Sequence, residues 1–269
     1  MAKIKSLFLS ILILTVLTSC STGKKVETDI YSHYPENFAK LLKAQGGLDK
    51  WNLSNTLEFD LVNSEDSSTE HHIVDLKSRK VLVQGDSFKI GFDGSEVWVA
   101  PNKKAFAGKS ARFYHNLFFY FFSIPYVLAD PGINYQDDTV NLDGQNFSCI
   151  KATFNIGVGD SDKDFYKMIV DPQTNRLTSL LYTVTFYSGE VQERYNLLKY
   201  EDQQEINGLI FPGRLVGYKY ENDSVKENRY EYTFRNISLK ETVASDSLFA
   251  MPLMAEVDSL LKRETKAVK

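Results

Sequence analysis

Residues Arg112 to Tyr135 read RFYHNLFFYFFSIPYVLADPGINY, and the rest of the chain must be arranged to cover them. Between Phe113 and Tyr126 this stretch carries eight Phe and Tyr side chains, with Leu117, Ile124, Val127 and Leu128 between and after them. Each large apolar side chain gains roughly 1.5–3 kcal/mol on burial. The cover is therefore the rest of the fold, a membrane or a hydrophobic ligand. His115, Asn116, Ser123 and Pro125 interrupt the stretch, which falls short of the ~18 consecutive apolar residues of a membrane span. Hydrophobicity on nearly every side also excludes a surface helix with one wet face. Pro125 disfavours helical geometry at Ile124, which predicts a helix that breaks near Ser123 and restarts as a short second turn. Two readings stay open: a plug that fills the core, or a roof over a cavity. They are compatible.

On either side of this insert the period of hydrophobicity is two. Leu57, Phe59 and Leu61 alternate with Glu58, Asp60 and Asn63, the pattern of a half-buried antiparallel strand. Further strands are expected at residues 71–76, 80–84, 87–92 and 96–99, with Asp93-Gly94 as a hairpin turn. After Asp130-Pro131-Gly132, strands are expected at 138–142, 147–155, 165–170, 177–186, 192–200, 209–220 and 228–239. Short, evenly spaced strands with polar turns predict one large antiparallel sheet rather than βαβ units. Tyr218, Tyr220, Tyr230, Tyr232 and Phe234 fall on alternate positions of two consecutive strands and predict aromatic pairs on one face. Ahead of the sheet, Phe38, Leu41 and Leu42 have helical spacing between Pro35 and Gly46-Gly47. Leu48 to Trp51 is expected to turn the chain into the strands. At the other end, Met254, Val257 and Leu261 predict a helical tail within residues 253–269.

The N-terminus is a targeting segment. Lys3 and Lys5 precede the apolar run Leu7–Leu17, and Leu17-Thr18-Ser19-Cys20 resembles a bacterial lipoprotein signal cut before a lipidated cysteine. The expected organisation is a signal peptide over 1–19, a tether over 20–33 lipidated at Cys20, and one β domain over 34–252. Several acyl chains on Cys20 would satisfy the requirement of more than one chain for stable anchoring. Ser21 stands where an Asp would resemble an inner-membrane retention signal. The expected place is therefore the outer membrane, facing the periplasm. Without residues 1–19 the formal charge moves from −4 to −6, which gives no electrostatic case for a nucleic-acid partner. Cys149 has no partner once Cys20 is acylated and is expected to be a small buried hydrophobe. A monomer is expected.

Several local patterns, in order, resemble the LolA/LolB-like lipoprotein carriers. Ala44-Gln45-Gly46-Gly47 with Trp51, then Phe92-Asp93-Gly94 and Trp98, resemble their first half. Val170-Asp171-Pro172-Gln173-Thr174, Gly208-Leu209-Ile210-Phe211-Pro212 and Ser247-Leu248-Phe249 with Pro252 resemble their second half. Tyr120 to Pro125 with Ala129-Asp130-Pro131-Gly132 is similar to a signature of an uncharacterised family of Bacteroidota lipoproteins. The resemblance implies a mainly β (α+β) fold: a curved, unclosed antiparallel sheet, or half-barrel, with helices across its concave face. It further implies that this face can hold acyl chains. A membrane anchor and the long aromatic insert depart from the carriers.

No catalytic constellation stands out. Adjacent His71 and His72 point to opposite faces of a strand and cannot chelate one metal without a bulge; both are expected on a surface strand. His115 is expected to be a buried, hydrogen-bonded histidine sharing a narrow polar face with Asn116 and Ser123. Gly157-Val158-Gly159-Asp160-Ser161-Asp162 lacks the endings of a phosphate loop or an EF-hand and reads as a hairpin loop. No cofactor or metal is implied. The leading expectation is a non-catalytic protein that binds a lipid or acyl chain, with Trp98, Phe118, Phe121, Phe122 and Tyr126 lining the site. The alternatives are a scaffold or interaction protein with a filled concave face, and a hydrolase or lyase using His115 or tyrosines of the cavity.

Overall fold

A computed structural model describes residues 29–192 and 194–259. The signal peptide, Cys20 and most of the tether lie outside the described residues, as does the end of the chain. Two helices open the fold, α1 (Glu36–Ala44) and α2 (Leu48–Leu53). The second replaces the expected turn: Gly47, at φ 102°, reverses the chain and lets Leu48 and Trp51 bury the face of another helix.

Five strands follow: β1 (Thr56–Asn63), β2 (Thr69–Asp75), β3 (Val81–Gln84), β4 (Lys89–Phe92) and β5 (Val97–Ala100). The aromatic insert comes next as α3 (Ala111–Tyr114), α4 (Leu117–Ser123) and a 3₁₀ turn at Tyr126–Ala129. The helix ends at Ser123 and Ile124 is extended, as Pro125 predicted. The remaining strands are β6 (Ile133–Leu142), β7 (Gln145–Phe154), β8 (Phe165–Val170), β9 (Leu177–Tyr182), β10 (Asn196–Glu201), β11 (Gln204–Ile206), β12 (Leu209–Phe211), β13 (Arg214–Glu221), β14 (Ser224–Lys240) and β15 (Glu256–Val257). Where one strand was expected over 209–220, the chain makes two. Leu209–Phe211 pairs with β11 in a separate hairpin before β13 enters the main sheet.

Thirteen strands form one sheet in the order β15-β5-β4-β3-β2-β1-β14-β13-β10-β9-β8-β7-β6, all neighbours antiparallel. At roughly 4.8 Å per strand a flat sheet of this order would be roughly 60 Å wide. Yet Val81 and Val97 from one half share a single buried cluster with Ile150 and Met168 from the other, around Phe118, Phe121 and Phe122. The sheet is therefore curved around the insert, unclosed, with the helices against its concave side. This is the fold class that the resemblance implied.

Two expectations about the sheet are corrected. The hairpin β13–β14 is closed by Asn222-Asp223, and its partners include Glu221↔Ser224, Gly217↔Tyr230 and Leu215↔Tyr232. Even positions on one strand thus face odd positions on the other. Tyr230, Tyr232 and Phe234 belong to the concave core, whereas Tyr218 and Tyr220 pack on the convex side with Val140, Cys149 and Leu197. The second correction is at the C-terminus. Within 253–259 there is no helix; Glu256 and Val257 pair with Val99 and Trp98 as the edge strand, and Leu253 and Met254 are exposed.

Candidate functional site

The insert is fixed by polar ties at its start and by aromatic packing along its length. Ser110 Oγ accepts from Phe113 N at 3.2 Å and caps α3. Arg112 donates twice to Asp160, from Nε at 2.7 Å and Nη2 at 2.9 Å, while its backbone N–H donates to Asp258. This bidentate pair ties the loop that carries Asp160 to the insert. Tyr114 Oη donates to the Glu70 carboxylate at 2.8–2.9 Å. Beside the carboxylate, burial pushes the phenol far above its ordinary value.

The expected site residues divide between two roles. Phe122 is fully buried, its ring parallel to Phe211 at 4.7 Å and packed on Phe59 at 5.2 Å and Phe234 at 4.6 Å. Tyr126 stacks on Trp51 at 5.0 Å and donates its hydroxyl to the Gln45 carbonyl. These two residues plug the core. Phe118 and Phe121 occupy other faces of the same helix and line open space. Trp98 is elsewhere: it packs with Ile73, Leu82 and Phe249, and its indole Nε1 donates to the Phe249 carbonyl at 2.9 Å. That cluster is separate from the concave core, so Trp98 is no wall of the site.

Two cavities flank the ridge Phe113–Leu117–Phe121, all three of which line both. The first holds about 160 Å³ between the insert and β6, β7 and β8, against Tyr120, Val127, Leu128, Ile133, Phe154 and Tyr166. Its polar lining includes Arg112, Asn116, Asp130, Asp160, Ser161 and Asp164. Burial holds Asp130 and Asp164 above the usual carboxylate range; Arg79 at 2.5 Å from Asp130, and the Thr185 N–H at 2.6 Å from Asp164, oppose it. The second holds about 430 Å³ between the insert and β9, β10 and β14, against Phe118, Tyr182, Val184, Tyr187, Tyr230 and Tyr232. Gln192, Arg194, Asn196 and Arg229 edge it. Sequence reasoning missed most of these residues, because strand residues reveal which face they share only once the register is known.

The histidines take structural positions. His115 is buried, its Nδ1 at 2.7 Å from the Arg112 carbonyl and its ring against Phe92 at 5.3 Å. Burial lowers its pKa to about 4, opposed by the hydrogen bond to Arg112; it lines neither cavity. His71 and His72 do point to opposite faces, but only His71 is on the surface, paired with Asp60 at 2.7 Å. His72 is fully buried, stacked on Phe59 at 4.7 Å with Nε2 at 3.1 Å from Glu70. The insert covers β2 and removes that face from water. Among the described residues no group of three or more His, Cys, Asp or Glu could hold a metal ion, and no helix is long and apolar enough to cross a membrane.

Residues 94–216, under half of the chain, match a family described as "Family of unknown function (DUF6503)". No curated protein matches the chain. Among solved structures, a LolA superfamily protein from Nitrosomonas europaea is similar at 11% identity and a TM-score of 0.47, covering 78% of this chain and 96% of that one. A DUF1329 family protein from Desulfovibrio piger is similar at 12% identity and a TM-score of 0.49, covering 80% and 95%. An outer membrane lipoprotein-sorting protein domain from Vibrio parahaemolyticus is similar at 10% identity and a TM-score of 0.39, covering 78% and 97%.

Proposed function

We propose that the protein is an outer-membrane lipoprotein, anchored through Cys20 and facing the periplasm, that binds a hydrophobic ligand such as an acyl chain without catalysis. The observation that carries this reading is the pair of cavities walled by Phe113, Leu117 and Phe121 on the concave face of the sheet. The larger, about 430 Å³, lies within the ~300–1,000 Å³ usual for small-molecule sites. An apolar ligand there gains by leaving water, in proportion to the area it buries. The insert is held at its start by the polar pairs Arg112–Asp160 and Tyr114–Glu70, and at its centre by the packed ring of Phe122.

The test uses the chain without residues 1–20. The core among the described residues lies between Phe38 and Phe249, so this removal leaves it whole. A fluorescent fatty-acid probe is titrated into the protein and into Leu117→Trp, which adds bulk at a residue that walls both cavities. The reading expects saturable one-to-one binding, lost in the variant with its fold retained by circular dichroism. Absence of saturable binding by the parent protein would overturn it.

A further inference from the structure

The two cavities differ in the sign of their charge, and this selects the ligand. The first carries three carboxylates, Asp130, Asp160 and Asp164, of which Asp130 is paired with Arg79 and Asp160 with Arg112, leaving an excess of one carboxylate. The second has no Asp or Glu among its described lining residues, and its edge carries Arg194 and Arg229, both exposed. Lys109 adds a third cation, its Nζ 4.0 Å above the ring of Tyr187 on the same wall. Among the described residues neither arginine has a carboxylate within ion-pair distance. Arg229 instead donates to the Asn196 side-chain oxygen at 3.0 Å. Arg79, Arg112 and Arg214 are paired, with Asp130, with Asp160 and with Glu201, Asp202 and Glu231. Arg194 and Arg229, with no such partner among the described residues, lie together beside one apolar cavity on a chain of net charge −4.

The wall beneath the arginines supplies further donors. Tyr182 and Tyr230 meet hydroxyl to hydroxyl at 2.9 Å. One O–H is used within that pair, which leaves the other hydrogen available to an acceptor. Burial raises the pKa of both phenols, so both stay protonated and can donate. Arg229 lies close enough to both to oppose that rise. The same cavity is lined by Phe118, Phe121 and Leu117. Exposed cations and phenol donors beside aromatic walls fit a molecule with one anionic end and one apolar chain.

Resting on the binding reading above, we infer that the ligand is a single-chain anionic amphiphile. Its carboxylate or phosphate is taken by Arg194, Arg229 and the Tyr182–Tyr230 pair, and its chain lies against Phe118 and Phe121. Arginine suits either head because its planar fork donates two parallel hydrogen bonds to carboxylate or phosphate oxygens. Carboxylate and phosphate heads share this chemistry, and the ligand series separates them.

The experiment measures affinity for oleate, oleoyl lysophosphatidate, oleyl alcohol and oleylamine by displacement of a fluorescent probe, with inorganic phosphate as a headgroup-only control. The expected order puts both anions at least about tenfold tighter than the alcohol, roughly one charge-assisted hydrogen bond, and the amine weakest. Arg194→Gln/Arg229→Gln should bring the anions down to the alcohol, and Arg194→Lys/Arg229→Lys should retain part of the difference. Raising salt from low to physiological concentration should weaken the anions alone. Oleate preferred over the lysophosphatidate names a carboxylate head, and the reverse names a phosphate. Equal binding of alcohol and anions, or anion binding unchanged in the glutamine variant, overturns the headgroup assignment and leaves the binding reading standing. Binding of none of the four lipids overturns both, and displacement by phosphate alone overturns the amphiphile in favour of a small anion.

Discussion

Replacing Phe122 with alanine tests the division of the insert into plug and wall. The ring is fully buried among three others: parallel to Phe211 at 4.7 Å, and packed on Phe234 at 4.6 Å and Phe59 at 5.2 Å. These neighbours sit on β12, β14 and β1, so the backbone around the void is held by strand pairing and collapses little. Phe→Ala in such a setting costs about 3–5 kcal/mol, and three lost aromatic contacts of about 0.5–1.5 kcal/mol each put Phe122 near the top of that range. Against a typical total of about 5–15 kcal/mol, the loss removes about a third of the stability or more. The assay is urea unfolding followed by tryptophan fluorescence. With a slope near 3 kcal/mol/M, the midpoint should fall by about 1.5 M. A loss below about 1.5 kcal/mol would show that the site relaxes freely, and the plug argument would fail.

Three further outcomes follow from the same structure. His115 has its pKa lowered by burial to about 4, against about 6.5 when unfolded. Below pH 6.5 the unfolded chain takes a proton that the folded chain refuses, so stability falls as pH drops towards 4, by about 3 kcal/mol in total. Urea unfolding between pH 7 and 4.5 should show this slope, and His115→Gln should flatten it; equal slopes would refute the assignment. Gly217→Ala places a methyl carbon 2.2 Å from the ring of Tyr230, forcing that ring off Tyr182. It should cost about 1–3 kcal/mol by thermal unfolding and weaken binding in the larger cavity. Cys149 is buried and unpaired, with its thiol pushed up to about 11 by burial. It should resist a thiol reagent at pH 8 in the folded protein and react on unfolding; rapid labelling of the folded chain would contradict its placement.

Much of the sheet was legible because period two survives wherever one strand face is wet. Leu57, Phe59 and Leu61 alternate against Glu58 and Asp60, and β1 forms where that pattern lies. Pro125 fixed the end of α4 through a steric rule that needs no partner. Trp98 failed for the opposite reason. Val97, Trp98 and Val99 are all buried, since Phe249 and its neighbours cover the outer face of β5, and a strand dry on both faces gives no sign of which side is concave. Alternation alone puts the tyrosines of β13 and β14 on one face, but the two-residue Asn222-Asp223 turn pairs odd positions of β13 with even positions of β14 and sends Tyr218 and Tyr220 to the other side. Phe118 and Phe122 were indistinguishable as letters in an all-aromatic run. Only the placement of Phe211 on β12 and Tyr232 on β14 makes one a plug and the other a wall. The cationic edge was hidden for a similar reason: Arg194, in the connection between β9 and β10, and Arg229, on β14, are distant in sequence and line the same cavity only in the folded sheet.

The central claim is that the concave face holds a lipid. Native mass spectrometry of the chain without residues 1–20, purified from a bacterial host without detergent and followed by solvent extraction, measures this directly. The account predicts one bound single-chain lipid per protein, anionic in the extract, and its absence from Leu117→Trp prepared in parallel. A clean apo mass with an empty extract, or the same lipid retained by the filled variant, would contradict it.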